Sequence, residues 1–234
     1  MNKNSNIYII IYSTVMVVVV AFLLAFTAMS LKDLQAANIL NEKQNAILVS
    51  LGAADKSYDD YITAFAVDAA GQKVAGIEGA EVLDMLADLK STFEGDIYPV
   101  FQAEDGRVVV PISGNGLWGA IWGYVALESD MNTISGVVFD HAGETPGLGA
   151  EIATTKHQAQ YVGKSIFDEG EFVSITLVKG GATQANFMHE VDGISGGTKT
   201  ADGVTAMFNS SLAKYVAYFN SRGQVNNVNQ QDHE

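Results

Sequence analysis

From Ile7 to Met29 the chain runs for 23 residues without a charged side chain; beyond it, apolar positions recur at intervals of two in some stretches and of three and four in others. A helix over Ile7–Met29 rises about 35 Å at about 1.5 Å per residue, enough to cross a hydrocarbon layer of about 30 Å. The run is longer than the apolar region of a cleaved signal peptide, typically about 7 to 15 residues. The small-residue cleavage candidate Ala28-Met29-Ser30 is weak. The pattern therefore predicts an uncleaved transmembrane anchor over residues 1–32. Lys3 precedes the run while Lys32 and Lys43 follow it, so nearby positive charge does not choose an orientation.

After the anchor, Leu34, Ala37, Ile39 or Leu40, Ile47, Leu48 and Leu51 keep helical spacing as far as Gly52, predicting either a helix that continues from the membrane or an ordinary amphipathic helix packed on the domain, which the spacing does not separate. YITAFAVDAAGQKV reads as a strand meeting a turn at Ala70-Gly71. EVLDMLADLK reads as one short helix with Val82, Leu83, Leu86 and Leu89 on a face. Strands follow in YPVFQA and RVVVPIS, joined by a hairpin turn at Asp105-Gly106, and then in WGAIWGYVALES and TISGVVFDHAG. AEIATTKHQAQYVG reads as helical and EFVSITLVKGG as a further strand. In GVTAMFNSSLAKYVAYFNS, Val204, Met207, Phe208, Leu212, Tyr215, Val216 and Phe219 mark an amphipathic helix. Residues 223–234 carry no periodicity and read as a disordered tail. The expected architecture is α+β: a single N-terminal transmembrane helix, then, over 33–222, an antiparallel sheet with flanking helices.

Composition and charge narrow the function. The net charge of −14 becomes −16 once residues 1–32, with two lysines and no acids, are set aside. So acidic a domain repels phosphate backbones, which argues against nucleic-acid binding. With no cysteine, thiolate-held clusters, zinc ribbons, catalytic thiols and disulfides are excluded, and redox chemistry must rest on another cofactor. His141, His157, His189 and His233 are too scattered for a metal site.

Three glycine-bearing segments remain: SGNGLWG (Ser113 to Gly119), HAGETPGLGAE (His141 to Glu151) and DGISGGTKT (Asp192 to Thr200). Each alone is compatible with a plain turn; together they suggest backbone brought close to a ligand. The third sets hydroxyls around two glycines just before a long helix, where free N–H groups favour an anion. It lacks the lysine of a Walker loop, and no GxGxxG with a preceding strand is present, so neither a nucleoside triphosphatase nor a Rossmann domain is supported.

DGISGGTKT resembles the flavinylation motif of FMN-binding domains. Asp192, Ser195 and Gly196 match it, Gly197 replaces the usual alanine, and Thr198 takes the place of the threonine that receives FMN through a phosphoester. Thr200 is the fallback acceptor and a candidate helix N-cap. Together with GETPGLG, SGNGLWG and the single anchor, the chain is similar over nearly its whole length to the C-subunit family of Na+-translocating NADH:quinone oxidoreductases. SGNGLWGAIWGYVAL favours that family over the related G subunits of Rnf electron-transfer complexes. The alternative from another class is a non-redox, membrane-anchored extracytoplasmic binding module.

The resemblance implies a covalent FMN on Thr198, with Asp192, Ser195, Gly196, Gly197, Lys199 and Thr200 around the attachment. Glu144, Thr145, Pro146, Gly147, Leu148, Gly149, Leu117 and Trp118 are candidates for the flavin's surroundings. It also implies an electron-carrying subunit that does not itself oxidise NADH, with other membrane subunits, a flavin transferase and lipid as partners. The implied location is the bacterial inner membrane, with the C-terminal domain on the periplasmic side. Neither a catalytic residue nor a metal is expected.

Overall fold

The first helix, α1 (Asn6–Ser50), runs unbroken for 45 residues, because neither glycine nor proline interrupts it. It belongs to a computed structural model that describes residues 6–231, with side chains described as far as Gly223. The chain divides into two compact units between Lys43 and Gln44, later than the boundary at Lys32 expected from the apolar run. The first unit is the apolar helix, whose side chains from Ile7 to Met29 are exposed apart from the half-buried Tyr8, as an anchor facing lipid requires. The last turns of α1 belong to the second unit and end in a left-handed Gly52. There Ala53 N–H donates to Leu48 O at 2.9 Å and Gly52 N–H to Val49 O at 2.9 Å, the paired bonds of a Schellman cap.

In the second unit follow α2 (Tyr58–Tyr61), β1 (Ile62–Asp68), β2 (Lys73–Glu78), α3 (Ala80–Met85), α4 (Leu89–Glu94), β3 (Ile97–Ala103), β4 (Val108–Asn115), β5 (Ala120–Leu127) and β6 (Ile134–His141). The six strands form one antiparallel sheet in the order β2-β1-β3-β4-β5-β6. Then come α5 (Thr155–Gln158), β7 (Phe167–Asp168), β8 (Glu171–Phe172), β9 (Thr176–Val178), β10 (Glu190–Asp192), α6 (Thr198–Leu212) and α7 (Val216–Gln231), with short 3-10 turns between several of them.

Alternation along the strands sorts side chains onto two cores. Phe65, Val67, Val100, Val108, Val110, Ile112, Ile121 and Val125 face a core shared with Met207, Phe208, Leu212, Tyr215 and Phe219 of the C-terminal helices. Ala64, Phe101, Val109, Tyr124 and Ala126 point the other way, onto Ile47, Leu48 and Leu51 and onto Val82, Leu83 and Leu86. The sheet is thus covered on both faces, which explains why VVVPI in β4 is apolar at every position.

Four local expectations differ from what forms. EVLDMLADLK is two helices: Asp88 caps α4 by accepting from Ser91 N–H at 3.1 Å, which puts Leu89 on a different helix from Val82 and Leu83, although it still packs against their core. EFVSITLVKGG is broken at Ser174, whose φ of 63° cannot continue a strand, and β9 pairs in parallel with β10, outside the main sheet. The strand expected to end at Ser113 continues through Gly114 and Asn115, which pair with Ile121 and Ala120. The C-terminal helix extends to Gln231 where a tail was expected from residue 223, because elongating a formed helix adds one hydrogen bond per residue. Residues 232–234 of that expected tail lie outside the described residues.

Candidate functional site

Helix α6 begins abruptly. Gly197 occupies the N-cap position and brings no side-chain cap, so the first helical bond is Ala201 N–H to Gly197 O at 2.9 Å. The leading N–H groups of any helix lack intrahelical partners and sit at the positive end of its dipole. Thr198, the first helical residue, is exposed at this end. Beside it lies a cleft of about 480 Å³ whose walls include Asp192, Ser195, Gly196 and Thr198 from the predicted motif. Lys179, Gly180 and Gly181 also line it. Asp192 joins the two segments: its Oδ1 accepts from Ala182 N–H at 2.8 Å.

Behind this turn lies a buried carboxylate. Glu144 is 4% exposed, and its Oε2 accepts from Thr200 Oγ1 at 2.6 Å while Oε1 accepts from Trp118 N–H at 2.8 Å. Burial pushes the carboxyl up. The bonds from Thr200 and Trp118, the neighbouring His141 and the Gly119 N–H outweigh it, holding Glu144 below the usual glutamate value. His141 Nδ1 in turn accepts from Glu144 N–H at 3.2 Å. A Cβ at Gly116 would stand 2.5 Å from Glu144 Oε1, and one at Gly149 would stand 2.5 Å from Thr200 Oγ1, so both glycines make room for this group.

The three glycine-bearing segments therefore meet. Leu148 lies against Gly196, where a Cβ would come within 2.6 Å of its Cδ2, and its backbone backs onto Gly197. Gly203 lets α6 approach the Asn115 carbonyl more closely than a Cβ would permit. Leu148 N–H and Ala150 N–H both return to Thr145 O, at 3.1 and 3.2 Å, closing the turn that exposes Pro146 and left-handed Gly147. Leu117, Trp118 and Leu148 stand 55%, 69% and 42% exposed, so Trp118 is not a core residue. None of these three lines the cleft beside Thr198.

Two expectations change here. Thr200 is not the N-cap: it lies two residues inside the helix and is 1% exposed, and its hydroxyl is committed to Glu144. Lys199 extends into solvent toward Asp202, 3.7 Å away. The cleft also contains residues that the sequence did not single out, Leu177, Lys179, Ala201 and Asp202 among them; the paired glycines of VKGG were the one available signal. His157 is buried against Tyr161, and His189 Nδ1 lies 2.7 Å from Ser165 O. His233 is outside the described residues. Among the described residues no three acids or histidines gather as metal ligands.

Residues 116–213, from the glycine beside Glu144 to the end of α6, match the model of the FMN-binding domain family. This defines the class: an FMN-binding-domain protein preceded by a long apolar helix. Two curated relatives cover most of the chain. The C subunit of the Na(+)-translocating NADH-quinone reductase of Vibrio parahaemolyticus is 35% identical, spanning 81% of this chain and 84% of its own length. The protein of the same name from Pseudomonas aeruginosa is 30% identical across 91% and 94%. The crystal structure of the C subunit from Parabacteroides distasonis superposes with a TM-score of 0.72 at 41% identity, covering 81% of this chain and 96% of that one. Shewanella oneidensis NqrC gives 0.67 at 29%, covering 80% and 98%. The chain belongs to the C-subunit family of Na(+)-translocating NADH-quinone reductases.

Proposed function

We propose that this protein is the electron-carrying flavoprotein subunit of a membrane Na+-pumping NADH:quinone oxidoreductase, with FMN held through a phosphoester on Thr198 Oγ1. The observation that carries the assignment is the contrast within Thr198-Lys199-Thr200: one hydroxyl is open at an uncapped helix N-terminus, and the other is buried under a carboxylate. The surroundings fit the group. The start of α6 offers N–H donors to a phosphate, Ser195 adds a hydroxyl, and the adjoining cleft has the size range of small-molecule sites.

Attachment requires a flavin donor with an activated phosphoryl group, such as a flavin dinucleotide. The Thr198 Oγ1–P bond forms, the donor's pyrophosphate P–O bond breaks, and the hydroxyl proton leaves with the nucleoside monophosphate. A flavin transferase supplies the catalysis. The bound flavin supplies electron transfer, while the protein holds it and tunes its surroundings. Leu117, Trp118 and Leu148 are the exposed apolar side chains nearest in sequence to the Glu144 node and are assigned to flavin contact. NADH oxidation belongs to another subunit. The apolar helix anchors the chain in the inner membrane, with the acidic domain on the periplasmic side, where a covalent bond prevents loss of the flavin.

Mass spectrometry of the full chain co-produced with a flavin transferase tests this. The expected increment is FMN less one water on the peptide bearing Thr198, and a yellow, fluorescent band persists through denaturing electrophoresis. Thr198→Ala should abolish both. Unmodified wild-type peptide under these conditions, or an increment that survives Thr198→Ala, overturns the assignment.

A further inference from the structure

Glu144 has no counterpart in the sequence motif around Thr198, yet it touches two of the three segments that build the site. It is buried, it bonds α6 through Thr200 Oγ1, and it bonds the 116–119 loop through the Trp118 and Gly119 N–H groups. A lone buried carboxylate is expensive unless its oxygens are hydrogen-bonded, and here the Thr200 hydroxyl and the Trp118 N–H bond one oxygen each, with the Gly119 N–H also directed at the group. The donors come from the first turn of α6, which has no side-chain cap, and from a loop whose Leu117 and Trp118 side chains face solvent.

We propose that Glu144 is a positioning residue for cofactor attachment: through Thr200 it fixes the first turn of α6, so that Thr198 is presented to the incoming phosphoryl group and Thr200 is withheld. The proposal rests on the reading that Thr198 carries the flavin. Its geometry is specific. Thr200 follows Thr198 by two positions, about 200° around a helix of 3.6 residues per turn, so a turn that holds one hydroxyl inward leaves the other outward. The fit is also tight. Gly116 and Gly149 leave no room for a Cβ beside the carboxylate or its partner hydroxyl, so the Glu144–Thr200 pair has one arrangement available. A carboxylate 2.6 Å from a hydroxyl would ordinarily favour that oxygen as the nucleophile; enclosure prevents it here, since Thr200 is 1% exposed. Selection between the two threonines is thus steric, imposed by a residue remote in sequence.

The test uses the full chain in detergent with a flavin transferase and flavin dinucleotide, reading the initial rate and the position of FMN incorporation by peptide fragmentation. Thr200→Val keeps the volume and removes the bond; Thr200→Ser keeps the bond; Glu144→Ala removes the carboxylate. Thr200→Val and Glu144→Ala should label Thr198 about tenfold more slowly or worse, since small misplacements of a reacting group are costly. Thr200→Ser should match the wild type. If Glu144→Ala fails to fold, the Val and Ser variants, which leave the packing nearly intact, decide alone. After prolonged incubation, the visible circular dichroism of the loaded flavin should differ from wild type in Thr200→Val and not in Thr200→Ser. Wild-type rates in both Thr200→Val and Glu144→Ala, or a Thr200→Ser variant as slow as Thr200→Val, overturn the proposal. An unlabelled wild type refutes instead the assignment of Thr198, so the two failures are distinguishable.

Discussion

Acidification should destabilise this domain through one histidine before the carboxylates take over. His157 is 6% exposed, and its Nε2 lies 3.1 Å from Tyr161 Oη, with the Phe139 ring beside it. Burial pushes its pKa down from 6.5 to about 4, only partly opposed by the charge of Asp192. In the unfolded chain the ring takes a proton near pH 6.5; in the folded domain it resists until about pH 4, so proton binding favours unfolding between those values. Stability is therefore complete above pH 6.5 and falls as pH drops toward 4. At about 1.36 kcal/mol per unit, the full loss is about 3 kcal/mol, of which about 2 kcal/mol is gone by pH 5. Urea unfolding of the detergent-solubilised chain between pH 7.5 and 4.5 measures this, with Glu144 and the other depressed carboxylates contributing below that range. His157→Gln, which can still bond Tyr161, should flatten the curve above pH 5. The same pH slope in wild type and variant would falsify the assignment of this loss to His157.

Phe208 is fully buried, stacked on Tyr161 at 5.3 Å between ring centroids and edge-on to Phe139 at 5.8 Å. Phe208→Ala should cost about 3–5 kcal/mol in chemical denaturation; a loss below about 1 kcal/mol would mean that the C-terminal helix does not seal this core. Gly203→Ala sets two effects against each other. Alanine favours a helix by about 1 kcal/mol, but here its Cβ would collide with the Asn115 carbonyl, and overpacking typically costs about 1–3 kcal/mol. A lowered melting temperature is expected, with slower flavin loading as α6 shifts; a raised one refutes the close approach.

Much of the fold is visible along the chain because its signals are local. The charge-free run, the apolar strand runs of β1 and β3, the Asp105-Gly106 turn and the three- and four-residue spacing from Val204 to Phe219 are each read from neighbouring positions. The breaks were harder to see. Asp88 as a cap and Ser174 in the left-handed region act at single residues within patterns that look continuous. At the candidate site, the three glycine-bearing segments could be identified but their meeting could not. Thr200 looked like a cap because serine and threonine favour that position; its actual partner, Glu144, is 56 residues earlier. Residue type does not place Trp118, because large aromatic residues occupy both core and surface.

Strand β2 ends the sheet, and its design bears on how the protein behaves among its own copies. Its face is largely exposed, Lys73 and Glu78 pair across it at 2.7 Å, Gly76 sits at φ 84°, and its register against β1 slips between Phe65 and Val67. A lysine and an irregular register are devices that stop an edge strand from recruiting a strand of another chain. Anchoring confines neighbours to a plane and raises the frequency of their encounters, so an edge that refuses extension keeps a crowded bilayer from assembling these domains into unintended sheets.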